Sequence, residues 1–318
     1  MKMSMTKCLS IWQSLNSEPQ QSVFKRYDAT HPLDFYLGLD GDGRHLLLFV
    51  CSEEPPQQLD MRAIKLKKSR RDDGRWALLW TLEDLALLEM FSLLSEDLIE
   101  HSRNTEGKIS PLNFVLRRLS SWRHLLERAS DNILPMNRVR GLCGELVFLE
   151  ELIERLGSNE AVISWVGPAG ADQDFQFGTA AWEVKTIRPD ADTIIIASER
   201  QLDSVDKNIR LIIVEVADVS SRTDGMFTLN SQVSKLRNKL SSCYEALLEF
   251  DNKLLVAGYV VREEYGAIFL KLRSLASFAI VEDFPYIGKK AIPAGVVNIC
   301  YEIELKELEG FLIERAAF

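Results

Sequence analysis

The chain of 318 residues is long enough for about two domains at roughly 150 residues each, and its 46% hydrophobic and 27% charged composition is that of a globular protein. A formal net charge of -9 argues against a protein that coats nucleic acid by bulk charge, so any phosphate contact must be local. No run approaches the ~18 apolar residues of a membrane span, and the opening "MKMSMTKCLSIWQSLNSE" lacks a signal-peptide pattern, which places the expected location in the cytoplasm, away from membranes. Five scattered cysteines (8, 51, 143, 243 and 300) without a C-x-x-C pair argue against a disulfide framework or a structural zinc. Histidines 31, 45, 101 and 124 show no zinc-ligand spacing, and no phosphate-loop, dinucleotide or serine-elbow motif occurs.

In chain order, "LDFYLGLDGDGRHLLLFV" (33–50) predicts two strands around a Gly-Asp-Gly turn, with further strands near 60–68 and 75–81 after the break at Pro55-Pro56. Helical spacing begins near 82 through Leu85, Leu88, Met90 or Phe91, Leu94 and Leu98, and a second helix is expected over about 112–129. A domain boundary is placed near 130, giving a β-rich unit with connecting helices over 1–130 and a second unit over 131–318. Basic runs at 64–75, 117–128, 137–140 and 235–239 are candidate phosphate contacts, although such runs are more often solvated faces.

The second unit opens with a helix whose apolar stripe is Leu142, Leu146, Leu149, Ile153 and Leu156, ended by Gly157. "QDFQF" and "WEVKT" then predict a hairpin through "GTAA". "DTIIIAS" reads as a strand, "SERQLDSV" as a short helix that Ser198 could cap, and "NIRLIIVEVADV" as a strand. "NSQVSKLRNKLSSCYEALLEF" reads as one amphipathic helix; "NKLLVAGYVV" is ambiguous. "GAIFLKLRS" and "NICYEIEL" read as strands, and "KELEGFLIERAAF" as helix. The α-β-β-β-α-β order over 136–216 fits an α+β or α/β fold with a mixed sheet flanked by helices.

Strand alternation puts Glu183 and Lys185 on one face, with Trp182, Val184 and Thr186 on the other. Asp174 on the partner strand can approach Glu183, giving two carboxylates and an ammonium in one pocket. A divalent cation relieves their repulsion. Mg²⁺ suits such a set, since it takes one or two carboxylates and keeps several waters for phosphate and nucleophile. Asp172 rivals Asp174, because the two share a strand face; Asp174 is preferred for directly preceding Phe175. An isolated E-x-K is usually a solvated pair. Glu145 adds weight, lying at the edge of the helix's apolar stripe, where a carboxylate is costly unless paired or metal-bound. The flanking Gly141 and Gly144 suggest close backbone approach.

With a helix carrying "GE", then "QDF", "WEVK", a strand and "SERQLD", the chain resembles the PD-(D/E)XK nuclease superfamily, and within it a bacterial family of restriction and phage-defence loci. The resemblance is specific over 136–205 and implies a restriction-endonuclease-like fold, Asp174 and Glu183 as metal ligands, Lys185 as catalytic lysine and Glu145 as the helix acid completing the site. Gln201 is similar to a glutamine that some branches carry on the helix after the core strands. The proline that usually precedes the motif aspartate is replaced by Gln173. A Mg²⁺-dependent DNA endonuclease, with Mn²⁺ able to substitute, is the implied activity, with methyltransferase or ATPase subunits as the implied partners. A non-catalytic scaffold subunit and an RNA nuclease are the alternatives, and self-association is left open.

Overall fold

A computed structural model of the chain describes residues 6–16, 21–56, 61, 64–104, 110–128, 133–203, 208–220, 224–296 and 299–318. Contacts divide it into two compact units, 1–132 and 133–318.

The first unit holds α1 (Lys7–Gln13), β1 (Val23–Arg26), β2 (Asp34–Leu39), β3 (His45–Cys51), β4 (Ile64–Arg70), β5 (Trp76–Leu82), α2 (Leu88–His101) and α3 (Pro111–Arg128). Its strands form an antiparallel sheet in the order β1-β2-β3-β5-β4. The expected turn after Leu39 is present: Gly43 takes φ +77°, and Asp40 accepts the Asp42 and Arg44 N–H groups. α1, whose Thr6 side chain accepts the Leu9 N–H, was not foreseen, nor was β1. One face of the sheet buries Phe35, Leu37, Phe49 and Trp80, and Trp12 of α1 stacks on Phe91 of α2 at 5.3 Å. Between α2 and α3, Asp97 accepts from Arg118 Nε and Nη2, both at 2.6 Å, and from Trp122 Nε1 at 2.7 Å.

The second unit holds α4 (Met136–Leu156), α5 (Ser158–Ser164), β6 (Phe175–Phe177), β7 (Ala180–Ile187), β8 (Thr193–Ile196), β9 (Asn208–Asp218), β10 (Met226–Phe227), α6 (Leu229–Leu240), α7 (Tyr244–Ala257), α8 (Glu263–Gly266), β11 (Leu270–Ala279), β12 (Tyr301–Glu304) and β13 (Leu312–Ala317). The main sheet runs β6-β7-β9-β11, with β10 and β13 on the far edge of β11. β7 and β9 are parallel and the other pairs antiparallel, so the sheet is mixed. A parallel neighbour demands a crossover, and β8 lies on the stretch of chain between the two strands. The centre of β9, Leu211 to Val214, is apolar and buried, as expected of a strand covered on both faces. This is a mixed α+β fold with a β-rich N-terminal region.

Four expectations change. β8 lies outside the main sheet and pairs antiparallel with β12. Residues 199–202 of "SERQLDSV" form a turn rather than a helix, with Ser198 Oγ accepting the Arg200 N–H at 3.2 Å; residues 204 and 205 fall outside the described set. The long amphipathic helix breaks at Ser241–Cys243 into α6 and α7, and the ambiguous "NKLLVA" extends α7 to Gly258 at φ +93°. The tail is a 3-10 turn over Leu305–Phe311 followed by β13, because the edge of β11 offers Leu312–Ala317 a ladder that an isolated helix would lack.

α4 packs on β7 and β9 through Leu142, Leu146 and Leu149. Gly144 is where the backbones meet: a Cβ there would overlap Thr186 Oγ1 and approach the Thr186 Cβ to 3.1 Å, whereas Gly141 faces open space. Gly144→Val is therefore expected to lower stability by about 1–3 kcal/mol through overpacking and to separate α4 from β7. Chemical denaturation of Gly144→Val alone and combined with Thr186→Ala checks this; recovery in the double variant is the expected result.

Candidate active site

β6 pairs with β7 only from Phe175 to Phe177, through a two-residue turn in which Gly178 takes φ +58°. Beyond Trp182, β7 runs on without that neighbour. Asp174 stands at the opening, and its Oδ2 accepts the Val184 N–H at 2.8 Å. Its carbonyl accepts the N–H groups of Val166 and Gly167 at 2.8 and 2.9 Å. Gly167 is required there, since a Cβ would come within 2.7 Å of Asp174 Oδ1. Asp172 is exposed.

Alternation along β7 sends Trp182 and Val184 into the core shared with α4. Glu183 and Lys185 take the opposite face, and Lys185 Nζ lies 2.8 Å from Glu183 Oε1. The Glu183 carboxylate is 2% exposed, yet its Oε2 has no hydrogen-bond partner. A buried, unpartnered carboxylate oxygen is costly unless something absent from the polypeptide takes it. Lys185 Nζ also donates to Gln201 Oε1 at 3.0 Å, and Ala197 N–H donates to the same oxygen at 2.9 Å. Gln201 thus occupies the turn after β8, not a helix, and fixes the lysine.

Glu145 projects from α4, its Oε2 accepting Trp165 Nε1 at 2.7 Å. Burial, and then the negative charge of Asp174, push its pKa up to about 8. Burial followed by Asp174 also raises Glu183 to about 8, against the counteracting Lys185. Asp174 is raised by burial in spite of the Val184 amide and Lys185. Mutual electrostatic influence places Glu145, Asp174, Glu183 and Lys185 in one neighbourhood, with Gln201 bound to the lysine.

These residues fit a divalent cation by donor chemistry: hard carboxylates at the sheet edge, one with an unfilled oxygen. Among the described residues no three His, Cys, Asp or Glu side chains converge into a ready-made cage. An unfolded glutamate ionises near 4.3; between that value and about 8 the folded state holds the extra protons, so these acids lower stability as pH rises through that window, with no further change above it. A cation must displace those protons, so its affinity is expected to rise with pH by about tenfold per unit for each proton released and to level off above pH 8. Calorimetry with Mn²⁺ at pH 6, 7, 8 and 9 tests this; a flat affinity would contradict it.

Sequence reasoning missed Trp165, which carries no motif signal, and the role of Gln173. The Gln173 side chain is buried, and its Nε2 donates to the Arg200 carbonyl at 2.8 Å while its Oε1 accepts from Gln176. It ties the segment before Asp174 to the turn that carries Gln201. The basic run at 235–239 is committed elsewhere: Lys235 and Lys239 pair with Glu150, and Arg237 with Asp251. Arg140 of the run at 137–140 pairs with Asp218, and the run at 64–75 forms β4 and its turn. Of the run at 117–128, the side chains of residues 121 and 124–128 fall outside the described set.

Among the described residues no helix is long and apolar enough to cross a membrane. No curated protein and no solved structure matches the chain. The profile of the family described as "Putative PD-(D/E)XK family member (DUF4420)" matches residues 8–306, so the chain belongs to that family, and membership points to a nuclease-like function.

Proposed function

We propose that the protein is a Mg²⁺-dependent endonuclease that hydrolyses phosphodiester bonds in DNA, with Mn²⁺ able to substitute. The observation that carries this reading is the unpartnered, buried Oε2 of Glu183 beside Lys185, two residues along the same strand. Asp174 and Glu183 would hold the ion, with Glu145 completing the acidic wall. A divalent cation there supplies Lewis acidity toward a phosphoryl oxygen and a water nucleophile. Lys185 presents its ammonium where negative charge develops on the phosphoryl oxygens, a contribution that grows in a site shielded from water. Gln201 keeps that ammonium aimed, and the Val184 amide keeps Asp174 in place.

The reading extends to a restriction or phage-defence setting, supported by the family resemblance. Control of a potentially self-damaging nuclease would then fall to partner subunits with methyltransferase or ATPase activity. The acidic net charge of -9 supports modest, salt-sensitive DNA affinity built from a few local contacts.

The test is cleavage of supercoiled plasmid, phage DNA and RNA by the purified chain with Mg²⁺, Mn²⁺ or EDTA, comparing host-modified with unmodified DNA. Metal-dependent nicking of DNA is expected, slow without partners. Metal-independent cleavage, or none with any substrate in the presence of the partner subunits, would refute the reading.

A further inference from the structure

Two acids of the site hang from one short strap, residues 162–167, which runs from the last turn of α5 through Trp165 and Val166 into the 3-10 turn at Gly167–Ala169. The Trp165 indole, fully buried, holds Glu145, and the adjacent amides of Val166 and Gly167 hold the Asp174 carbonyl. Past Ser164 the strap is irregular, with Trp165 at φ -74°, ψ 91° and Val166 at φ -107°, ψ -9°, and an isolated bridge from Trp165 to Phe175 ties it to the sheet. A side-chain tie on the other side comes from α7. Lys253 Nζ lies 2.7 Å from the Val162 carbonyl oxygen, 3.0 Å from that of Ile163 and 2.7 Å from that of Trp165. An ammonium has three N–H donors and no acceptor, so its full hydrogen-bonding capacity matches this strap. Burial lowers the Lys253 pKa to about 8, which marks a group withdrawn from solvent rather than a waving surface lysine.

The contact caps the end of α5 and does more: its third acceptor is the C-cap carbonyl of Trp165, the residue that holds Glu145. We propose that Lys253 is a positioning residue, clamping the 162–167 strap so that Trp165 presents Glu145 and the Val166 and Gly167 amides present Asp174 in the geometry a divalent cation requires. The inference rests on the metal-nuclease reading above and adds to it a residue about 70 positions beyond the E-x-K strand.

The experiment uses the full chain, with Mn²⁺ as the probe, and reads Mn²⁺ binding by calorimetry alongside kcat and KM for DNA cleavage. Lys253→Met keeps the stem and removes all three donors. It is expected to weaken Mn²⁺ binding and lower kcat by about 10- to 100-fold, the usual scale for residues that orient metal ligands, with KM for DNA nearly unchanged. Lys253→Arg, which retains donors, should recover most of both losses. Trp165→Phe keeps a smaller buried ring, removes the link to Glu145, and should show part of the Lys253→Met effect. Should Lys253→Met fail to fold, Lys253→Gln, which loses the charge and keeps only one amide group to donate, carries the test with the same expected direction. Wild-type Mn²⁺ affinity and kcat in the folded variants would overturn the clamp while leaving the nuclease reading intact, whereas a wild-type chain that binds no Mn²⁺ would overturn both.

Discussion

Glu183→Gln is expected to lower cleavage by at least about 10³-fold, equivalent to about 4 kcal/mol of lost transition-state stabilisation, while leaving the metal-free fold as stable as the wild type, or more so, at pH 8. Both halves follow from one observation. The carboxylate is 2% exposed, its Oε2 is unpartnered, and burial has already raised its pKa to about 8. Its charge is therefore a burden on folding that Lys185 offsets only in part, and the amide keeps the volume without the charge. Lys185 keeps Gln201 as a partner in the variant. Asp174→Asn and Lys185→Met are expected to lose activity on the same scale, and Glu145→Gln to show a large loss with unchanged size and shape. Cleavage and thermal unfolding measured on the same preparations decide the matter: activity retained in all four variants refutes the site, and a sharp fall in metal-free stability of Glu183→Gln would show that the residue serves the fold instead.

Asp97→Asn carries the largest expected effect on stability, a loss of about 3–5 kcal/mol from the N-terminal unit. Burial alone would raise the Asp97 pKa, but the Arg118 guanidinium and then His101 outweigh it and hold the carboxyl well below the usual carboxylate range. Arg118 is 1% exposed and the Trp122 indole also donates to this carboxylate, so removing the charge leaves a buried guanidinium facing a neutral amide. A depressed pKa contributes stability that is complete above the ordinary carboxylate value near 3.9 and disappears as pH falls through the folded value. The gap between variant and wild type should accordingly narrow in acid. Urea unfolding at pH 7 and pH 3 measures it; a pH-independent gap, or none, would show that the pair contributes little.

The strand face that pairs Glu183 with Lys185 was legible because period-two alternation is a local rule and "WEVK" obeys it. Glu145 was legible for a related reason, its place on the edge of an apolar stripe. Trp165 was not, since a tryptophan between a serine and a valine carries no periodic signal, and its partner lies 20 residues away on another element. β8 was recognised as a strand but not as an outlier, because its partner β12 begins at Tyr301 and no local pattern announces so distant a pairing. The same limit hid β13: "FLIERAAF" has helical composition, and only the vacant edge of β11 makes it a strand. The division of one amphipathic stretch into α6 and α7 at Ser241–Cys243 turned on three small residues whose individual effects on a helix are weak.

The short reach of β6 bears on how the site can be tested. Where β6 stops, β7 presents an open flank, and an open flank of a sheet invites a strand from another molecule. The Asp174 side chain occupies the Val184 amide there and sets a carboxyl group across the gap. With that amide occupied, a strand from another molecule would find one donor fewer on β7, an effect separate from the metal-binding role proposed for Asp174. An alanine at this position would uncover the amide and invite self-association, so that loss of soluble protein could pass for loss of catalysis. An asparagine leaves an acceptor for the amide while deleting the charge, and it is the substitution that separates the two roles.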